Sequence, residues 1–381
     1  MRALRFLLFL FVIVLIFAAC GSEDESDISG LESEPDPSSR LSREALNELQ
    51  SMDITRFFDR AVVKSEQQVD EYTKVTFEPD SGPICLRGTE FSVFYLDRDS
   101  DKTMILLDGG GACWTGFCMA TEAVGDSVLL AGPSSSSPDN YFADWNLVSV
   151  PYCDGSVFSG DNEVIEKTDA GESKRYHHGQ QNLAAALDIT KTYFGDSTQI
   201  LIGGFSAGGY GTISGMVAVR LAFPVVDLFV MNDSGPGVQN PANDATVQLR
   251  IEEWRFDQTI PASCTGCEGG YGQLSQMYQW MLDNDETVKI SMLSYYEDSV
   301  IGTFFNEMSG PDYKALLLTE TDSIHANHPD RFKRFMLPGQ RHVVSRDWST
   351  VTADGVLVSD WVTAMVTGDD SVWKDILADG P

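Results

Sequence analysis

"IGGFSAGGYGTISG", Ile202 to Gly215, sets a serine between two glycines directly after the apolar run "QILI". The pattern G-x-S-x-G falls on Gly204, Ser206 and Gly208. It follows a predicted strand and opens a predicted helix. In that setting a serine on a sharp strand-to-helix turn projects its hydroxyl above the sheet. Small residues at 207, 208 and 209 allow the turn to be tight. The N–H of Ala207, at a helix N-terminus, is aimed where an oxyanion would form. The other reading is a capping or turn serine in a glycine-rich loop. The flanking strand and helix favour a nucleophile at Ser206.

Outward from this turn, strands and helices alternate. "KTMILLD" (102–108), "WNLVSVPYC" (145–153), "TQILIGG" (198–204), "VVDLFVMNDSG" (225–235), "VKISMLSY" (288–295) and "RFKRFMLPG" (331–339) read as apolar strands. "YTKVTF" (72–77) and "EFSVFYL" (90–96) precede them. The runs 41–60, 179–194, 207–223, 272–284 and 356–368 read as helices. Apolar strands alternating with helices predict an α/β fold, a mostly parallel central sheet with helices on both faces. Chemistry in such sheets gathers at the carboxyl ends of the strands.

A serine nucleophile needs a base and an acid behind it. The five histidines are His177, His178, His325, His328 and His342. In the order serine, acid, histidine, His177 and His178 come too early. His325 and His328 lie in "DSIHANHPDR", which reads as polar surface between elements. His342 follows "RFKRFMLPGQ" and so falls at a strand's carboxyl end. Two aspartates fit strand ends as the acid, Asp298 in "SYYEDS" and Asp233 in "VMNDSG"; Asp298 is preferred, and the second segment could instead shape an acyl pocket. An oxyanion site also needs N–H groups from an earlier strand-to-helix loop. "LLDGGGACW" offers Gly109, Gly110 and Gly111. A phosphate loop is excluded there, because the Lys–Ser/Thr pair and the G-x-G-x-x-G spacing are missing.

Composition bounds the partners. The 381 residues carry 26 Lys and Arg against 57 Asp and Glu, a net charge of −31. Nucleic acid is excluded as a partner, since binding it requires clustered cations. An anionic membrane surface is disfavoured for the same reason. At the N-terminus, Arg2 and Arg5 precede an apolar run from Phe6 to Ala19 and then Cys20. The run suits a signal peptide better than a membrane span. Ala18 and Ala19 before Cys20 resemble a bacterial lipobox, so 1–20 is read as a lipoprotein signal with Cys20 lipidated. Residues 21–40 are acidic and rich in Ser and Pro, a tether that cannot build a core. Residues 41–381 are expected to form one α/β domain, exported, monomeric, and attached to a membrane only through the lipid. Six further cysteines, Cys85, Cys113, Cys118, Cys153, Cys264 and Cys267, suit disulfides in an exported protein. Cys264 and Cys267 are close enough in sequence to pair. No second ligand pair accompanies them, so zinc is not indicated.

Together "LLDGGGACWTGFC", "VPYCDGS", "GGFSAGGYG", "NDSGPG", "SYYEDS" and "GQRHVV" resemble, in order, the pectin acetylesterase and Notum family of serine esterases over about residues 70 to 365. The resemblance implies an α/β-hydrolase-like fold and removal of acyl groups. It implies Ser206 as nucleophile, Asp298 as acid and His342 as base, with oxyanion donors at Gly110, Gly111 and Ala207. It also implies the pairs Cys85–Cys153 and Cys113–Cys118, leaving Cys264 with Cys267. The chain departs from the family at Gly111, where an aromatic residue is frequent, and in its short "WTGF" loop. Residues 310–330 read as a reduced lid. These departures argue against a long fatty-acyl pocket. The expected activity is hydrolysis of O-acyl esters, foremost O-acetyl, on a carbohydrate such as pectin, with no metal or organic cofactor implied. The alternatives are a lipase-like or protein-deacylating hydrolase, and an inactive hydrolase-fold lipoprotein that binds at the surface.

Overall fold

A computed structural model describes residues 38–128, 130–168, 171–267 and 273–379. The stretch read as a lipoprotein signal, Cys20 and nearly all of the stretch read as a tether lie outside these residues.

Ten strands form the central sheet: β1 (Val63–Val69), β2 (Tyr72–Phe77), β3 (Ser92–Leu96), β4 (Lys102–Leu107), β5 (Asn146–Val150), β6 (Gln199–Phe205), β7 (Asp227–Asp233), β8 (Lys289–Tyr295), β9 (Phe332–Leu337) and β10 (Ile376–Leu377). Their order in space is 1-2-3-5-4-6-7-8-9-10. The first three strands run antiparallel along one edge, and β3 pairs antiparallel with β5. From β5 to β10 every pairing is parallel. The chain therefore returns repeatedly to the same sheet edge through helices, as parallel pairing demands. The helices are α1 (Arg43–Ser51), α2 (Gly179–Phe194), α3 (Ala207–Ala222), α4 (Asp244–Trp254), α5 (Gln276–Asn284), α6 (Gly310–Asn327) and α7 (Val358–Thr367).

Alternation along the strands divides the core in two. Ile105, Val148, Ile202, Val230 and Met292 face one layer, which holds Leu49 of α1, Leu183 of α2, Met216 of α3, Met281 of α5 and Leu317 of α6. Met104, Leu147, Leu201, Phe229 and Leu293 face the other, where Trp361, Val362 and Met365 of α7 pack with Trp145 and Trp348. Both faces are covered, one by several helices and the other by α7 and neighbouring loops.

Three expectations need correction. The helix expected over 41–60 ends at Ser51, and turns carry the chain on to β1. Residues 310–330 are not a reduced lid. Tyr313, Leu317, Thr321 and Ile324 of α6 are buried, so this helix is part of the layer over the sheet. His325 lies within α6 rather than in a loop, its Nδ1 2.8 Å from the Phe332 carbonyl, and His328 closes that helix with Nε2 2.8 Å from Asp283 Oδ1.

Three disulfides, Cys85–Cys153, Cys113–Cys118 and Cys264–Cys267, fix loops at the carboxyl edge and beside α5. The second closes a hairpin in which Cys113 pairs with Cys118 and Trp114 with Phe117.

Candidate active site

Ser206 stands between β6 and α3 with φ 57° and ψ −119°. A non-glycine residue with positive φ is costly and persists only where its surroundings fix it. The surroundings here are backbone. Ser206 N–H donates to the Asp233 carbonyl at 2.9 Å, and Tyr210 N–H donates to the Ser206 carbonyl at 3.1 Å. The flanking glycines are needed for close approach. A Cβ on Gly208 would lie 2.0 Å from the Leu107 carbonyl oxygen, and one on Gly204 would lie 2.1 Å from that of Gly208. The G-x-S-x-G pattern is thus the imprint of a helix start pressed onto two strand ends.

His342 lies in the loop after β9, and Asp298 just past β8. His342 Nδ1 is 2.7 Å from Asp298 Oδ2, and the aspartate is fully buried. The other carboxylate oxygen accepts the N–H groups of Val300 at 2.9 Å and Ile301 at 3.1 Å, so the acid is held at the head of a π-helical turn, Ser299–Phe305. With Nδ1 engaged on a carboxylate, the imidazole presents Nε2 as its acceptor. Nε2 is buried and makes no hydrogen bond. Ser206 and His342 line the same cavity of about 520 Å³, and no hydrogen bond joins them. Such contacts commonly tighten only when substrate binds.

Asp233 sits beside this pair but serves the backbone. Its carboxylate accepts Val344 N–H at 2.9 Å, Ser345 N–H at 2.7 Å and the Ser234 hydroxyl at 2.9 Å. Ser234 Oγ in turn accepts Val343 N–H at 3.1 Å. Burial pushes the Asp233 carboxyl above its ordinary pKa, against these hydrogen bonds. Asn232 ties the same segment to α3, donating to the carbonyls of Gly209 at 2.6 Å and Gly235 at 2.7 Å. "NDSG" therefore clamps the His342 loop and the start of α3, a long-range role that the sequence reading missed. The signal was there: three consecutive polar residues at the end of an otherwise apolar strand.

The loop Asp108–Cys113 follows β4. Its Gly110 and Ala112 carbonyls accept the N–H groups of Thr121 at 2.7 Å and Met119 at 3.0 Å. Gly111 has φ +83°, and a Cβ there would lie 1.8 Å from the Met119 carbonyl oxygen. An aromatic side chain at this position has no room in this loop. Gly110 lines the cavity shared by Ser206 and His342, while Gly111 and Ala207 line a second cavity that also reaches Ser206. That second cavity, of about 270 Å³, is apolar, with Phe117, Met119, Tyr210, Ile301 and Phe304 in its walls. Met119 and Phe304 are 71% and 62% exposed at its rim. The first cavity is the more polar, holding Asp108, Ser134, Ser345 and Arg346. Burial raises the Asp108 pKa to about 7.

The other histidines stand apart from Ser206. His177 is buried with Nδ1 3.0 Å from the Asp154 carbonyl, and burial lowers its pKa to about 3. His178 Nδ1 is 2.7 Å from the Gly82 carbonyl. The geometry at Ser206 suits nucleophilic attack on a carbonyl, with an apolar recess on one side and a larger, partly polar one on the other.

The sequence matches the profile of the pectinacetylesterase family over residues 63–264. It is 27% identical to Pectin acetylesterase 11 of Arabidopsis thaliana over 48% of this chain and 52% of that protein. With Pectin acetylesterase 4 of the same plant it shares 30% identity over 35% of this chain and 36% of the relative. With Palmitoleoyl-protein carboxylesterase notum1' of Xenopus laevis it shares 24% identity over 54% of this chain and 43% of the relative. The matches span about half, or less, of the length of these relatives. On the profile match, and with the α/β sheet expected of it, the chain belongs to the pectinacetylesterase family.

Proposed function

We propose that this chain is a serine esterase that removes O-acyl groups, foremost O-acetyl, from a carbohydrate such as pectin through an acyl-enzyme on Ser206. The observation that carries the reading is the strained Ser206 sharing a cavity with a histidine whose far nitrogen is bound to a buried aspartate. Family membership supports the ester chemistry.

In this mechanism His342 Nε2 takes the proton of Ser206 Oγ as the oxygen attacks the ester carbonyl carbon. Asp298 holds the ring and stabilises the imidazolium. The carbonyl oxygen becomes an oxyanion facing the N–H groups of Gly110, Gly111 and Ala207. Removing one such donor typically costs about 2.7–4 kcal/mol of barrier. The C–O bond to the alcohol breaks, and the alkoxide leaves with the proton from Nε2. Water, deprotonated by the same nitrogen, then attacks the acyl-enzyme and restores Ser206. The acyl group occupies the apolar recess beside Gly111 and Ala207, and the alcohol occupies the larger, partly polar cavity beside His342. The expected setting is outside the cytoplasm, on a membrane through lipidated Cys20, as a monomer. Three disulfides in the body accord with an oxidising compartment.

A second reading has support of its own. The apolar recess and its exposed Met119 and Phe304 rim offer room for an acyl chain longer than acetyl. Rates on nitrophenyl acetate, butyrate, hexanoate and octanoate separate the two. Steady decline from acetate supports the deacetylase. A maximum at hexanoate or beyond supports a lipase-like or protein-deacylating enzyme. No turnover of any of them removes the esterase reading.

A further inference from the structure

A second cavity outside the active site is as large as the one at Ser206, about 560 Å³. Four separate segments build it: the turns before β1, the loop after β2, the hairpin Asn162–Thr168 with Gly171–His177, and the start of α2. Its walls are polar and held in place. Lys174 Nζ lies 2.7 Å from Glu163 Oε2 and 5.1 Å from the centre of the Tyr176 ring. His178, with Nδ1 on the Gly82 carbonyl, turns Nε2 to within 3.7 Å of Glu163 Oε1. Arg60 lines the same cavity, is exposed and forms no ion pair among the described residues.

The position of this cavity is set by the topology. The loop after β2 and the start of α2 stand at the carboxyl edge of the parallel strands, the edge that carries Ser206. Between β6 and β2 lie four strand spacings, about 20 Å across the sheet at roughly 4.8 Å each. That is the span of several linked pyranose rings. Guanidinium, carboxylate, amide and imidazole groups around one hollow can pair with adjacent hydroxyls, and little apolar surface is offered to anything else. The hollow holds two cations, Arg60 and Lys174, and two carboxylates, Asp80 and Glu163, and Lys174 is already paired with Glu163. Arg60, without an ion pair among the described residues, is the cation left to meet a sugar carboxylate, while the remaining polar groups suit its hydroxyls.

We propose that this cavity is a distal saccharide site, which holds a remote part of an acidic oligosaccharide while an ester on the same chain reaches Ser206. The inference rests on the carbohydrate-ester reading above. The test uses the full chain with acetylated oligogalacturonides from dimer to octamer, beside nitrophenyl acetate. In the wild type, kcat/KM should rise with length and level off once the chain reaches the distal site. Arg60→Ala and Lys174→Ala should remove that rise, by roughly tenfold in KM for the octamer, about the worth of one good hydrogen-bonded contact. The dimer and nitrophenyl acetate rates should stay unchanged. Equal kcat/KM at all lengths, or an octamer rate untouched by both variants, would overturn the proposal. A separate arm needs no turnover: calorimetric titration of the Ser206→Ala chain with unacetylated octagalacturonide. Binding that is lost on adding Arg60→Ala supports the site even if ester hydrolysis fails. No binding, or binding indifferent to Arg60, rejects it.

Discussion

Asp298 and His342 meet across the ends of neighbouring strands, Oδ2 2.7 Å from Nδ1, while the second aspartate oxygen holds the N–H groups of Val300 and Ile301. One carboxylate thus orients the imidazole and starts the next turn of chain. In Asp298→Asn the amide oxygen can keep the two backbone N–H groups, but the amide nitrogen would favour the wrong imidazole tautomer. The expected result is a folded protein with kcat lowered about 10⁴-fold. Circular dichroism and nitrophenyl acetate kinetics on the same sample check it.

Asp233 acts on the same histidine from a distance. With both oxygens on the N–H groups of Val344 and Ser345, it fixes the loop that carries His342. Asp233→Asn leaves one of these donors without an acceptor in a buried setting. It should lower stability by about 1–3 kcal/mol. It should also reduce kcat more than KM, because the base is displaced and the ester pocket is not. Urea unfolding and steady-state rates measure the two effects separately.

Asp108 gives the protein a pH signature. Its pKa, ordinarily 3.8, is raised to about 7 by burial, so the folded state holds its proton more tightly than the unfolded chain does. Stability from this group is present below its unfolded pKa and is lost as pH rises from about 4 to about 7. Asp108→Asn removes the loss. The variant should gain melting temperature over wild type between pH 5 and pH 8, with little difference at pH 4. An equal offset at every pH would contradict the assignment.

Gly208 tests the packing of the turn. A methyl group there would sit 2.0 Å from the Leu107 carbonyl oxygen, which belongs to a central strand and has nowhere to move. Gly208→Ala should cost about 3 kcal/mol, at the upper end of overpacking, and should abolish turnover by shifting Ser206. Thermal unfolding and ester kinetics together report it.

The apolar strands were legible because nothing else buries such short runs, and α2 and α3 lie within a residue of their expected bounds. The missing pieces share a physical cause. α4 escapes any apolar period because two of its four buried residues are Arg250 and Glu253. Arg250 lies over the Phe305 ring at 4.4 Å, and Glu253 pairs with the buried Arg175 at 3.1 Å. The paired strands Asn162–Thr168 and Gly171–His177 are largely polar, and two of the residues they bury, Arg175 and His177, are themselves polar, so they show no apolar alternation. At the site, Ser206, Asp298 and His342 each adjoin a strand end that could be read locally. The Asp233 clamp and the polar cavity near α2 join residues far apart in sequence, and only the fold brings them together.

The central claim is that Ser206 carries the acyl group. The most direct measurement is rapid acid quench of the oxidised full chain mixed with nitrophenyl acetate, followed by peptide mass spectrometry. The account predicts a burst of nitrophenol and an acetyl group on the peptide at Ser206, both absent in Ser206→Ala. Turnover that persists in Ser206→Ala, or an acetyl group found only on another residue, would contradict it.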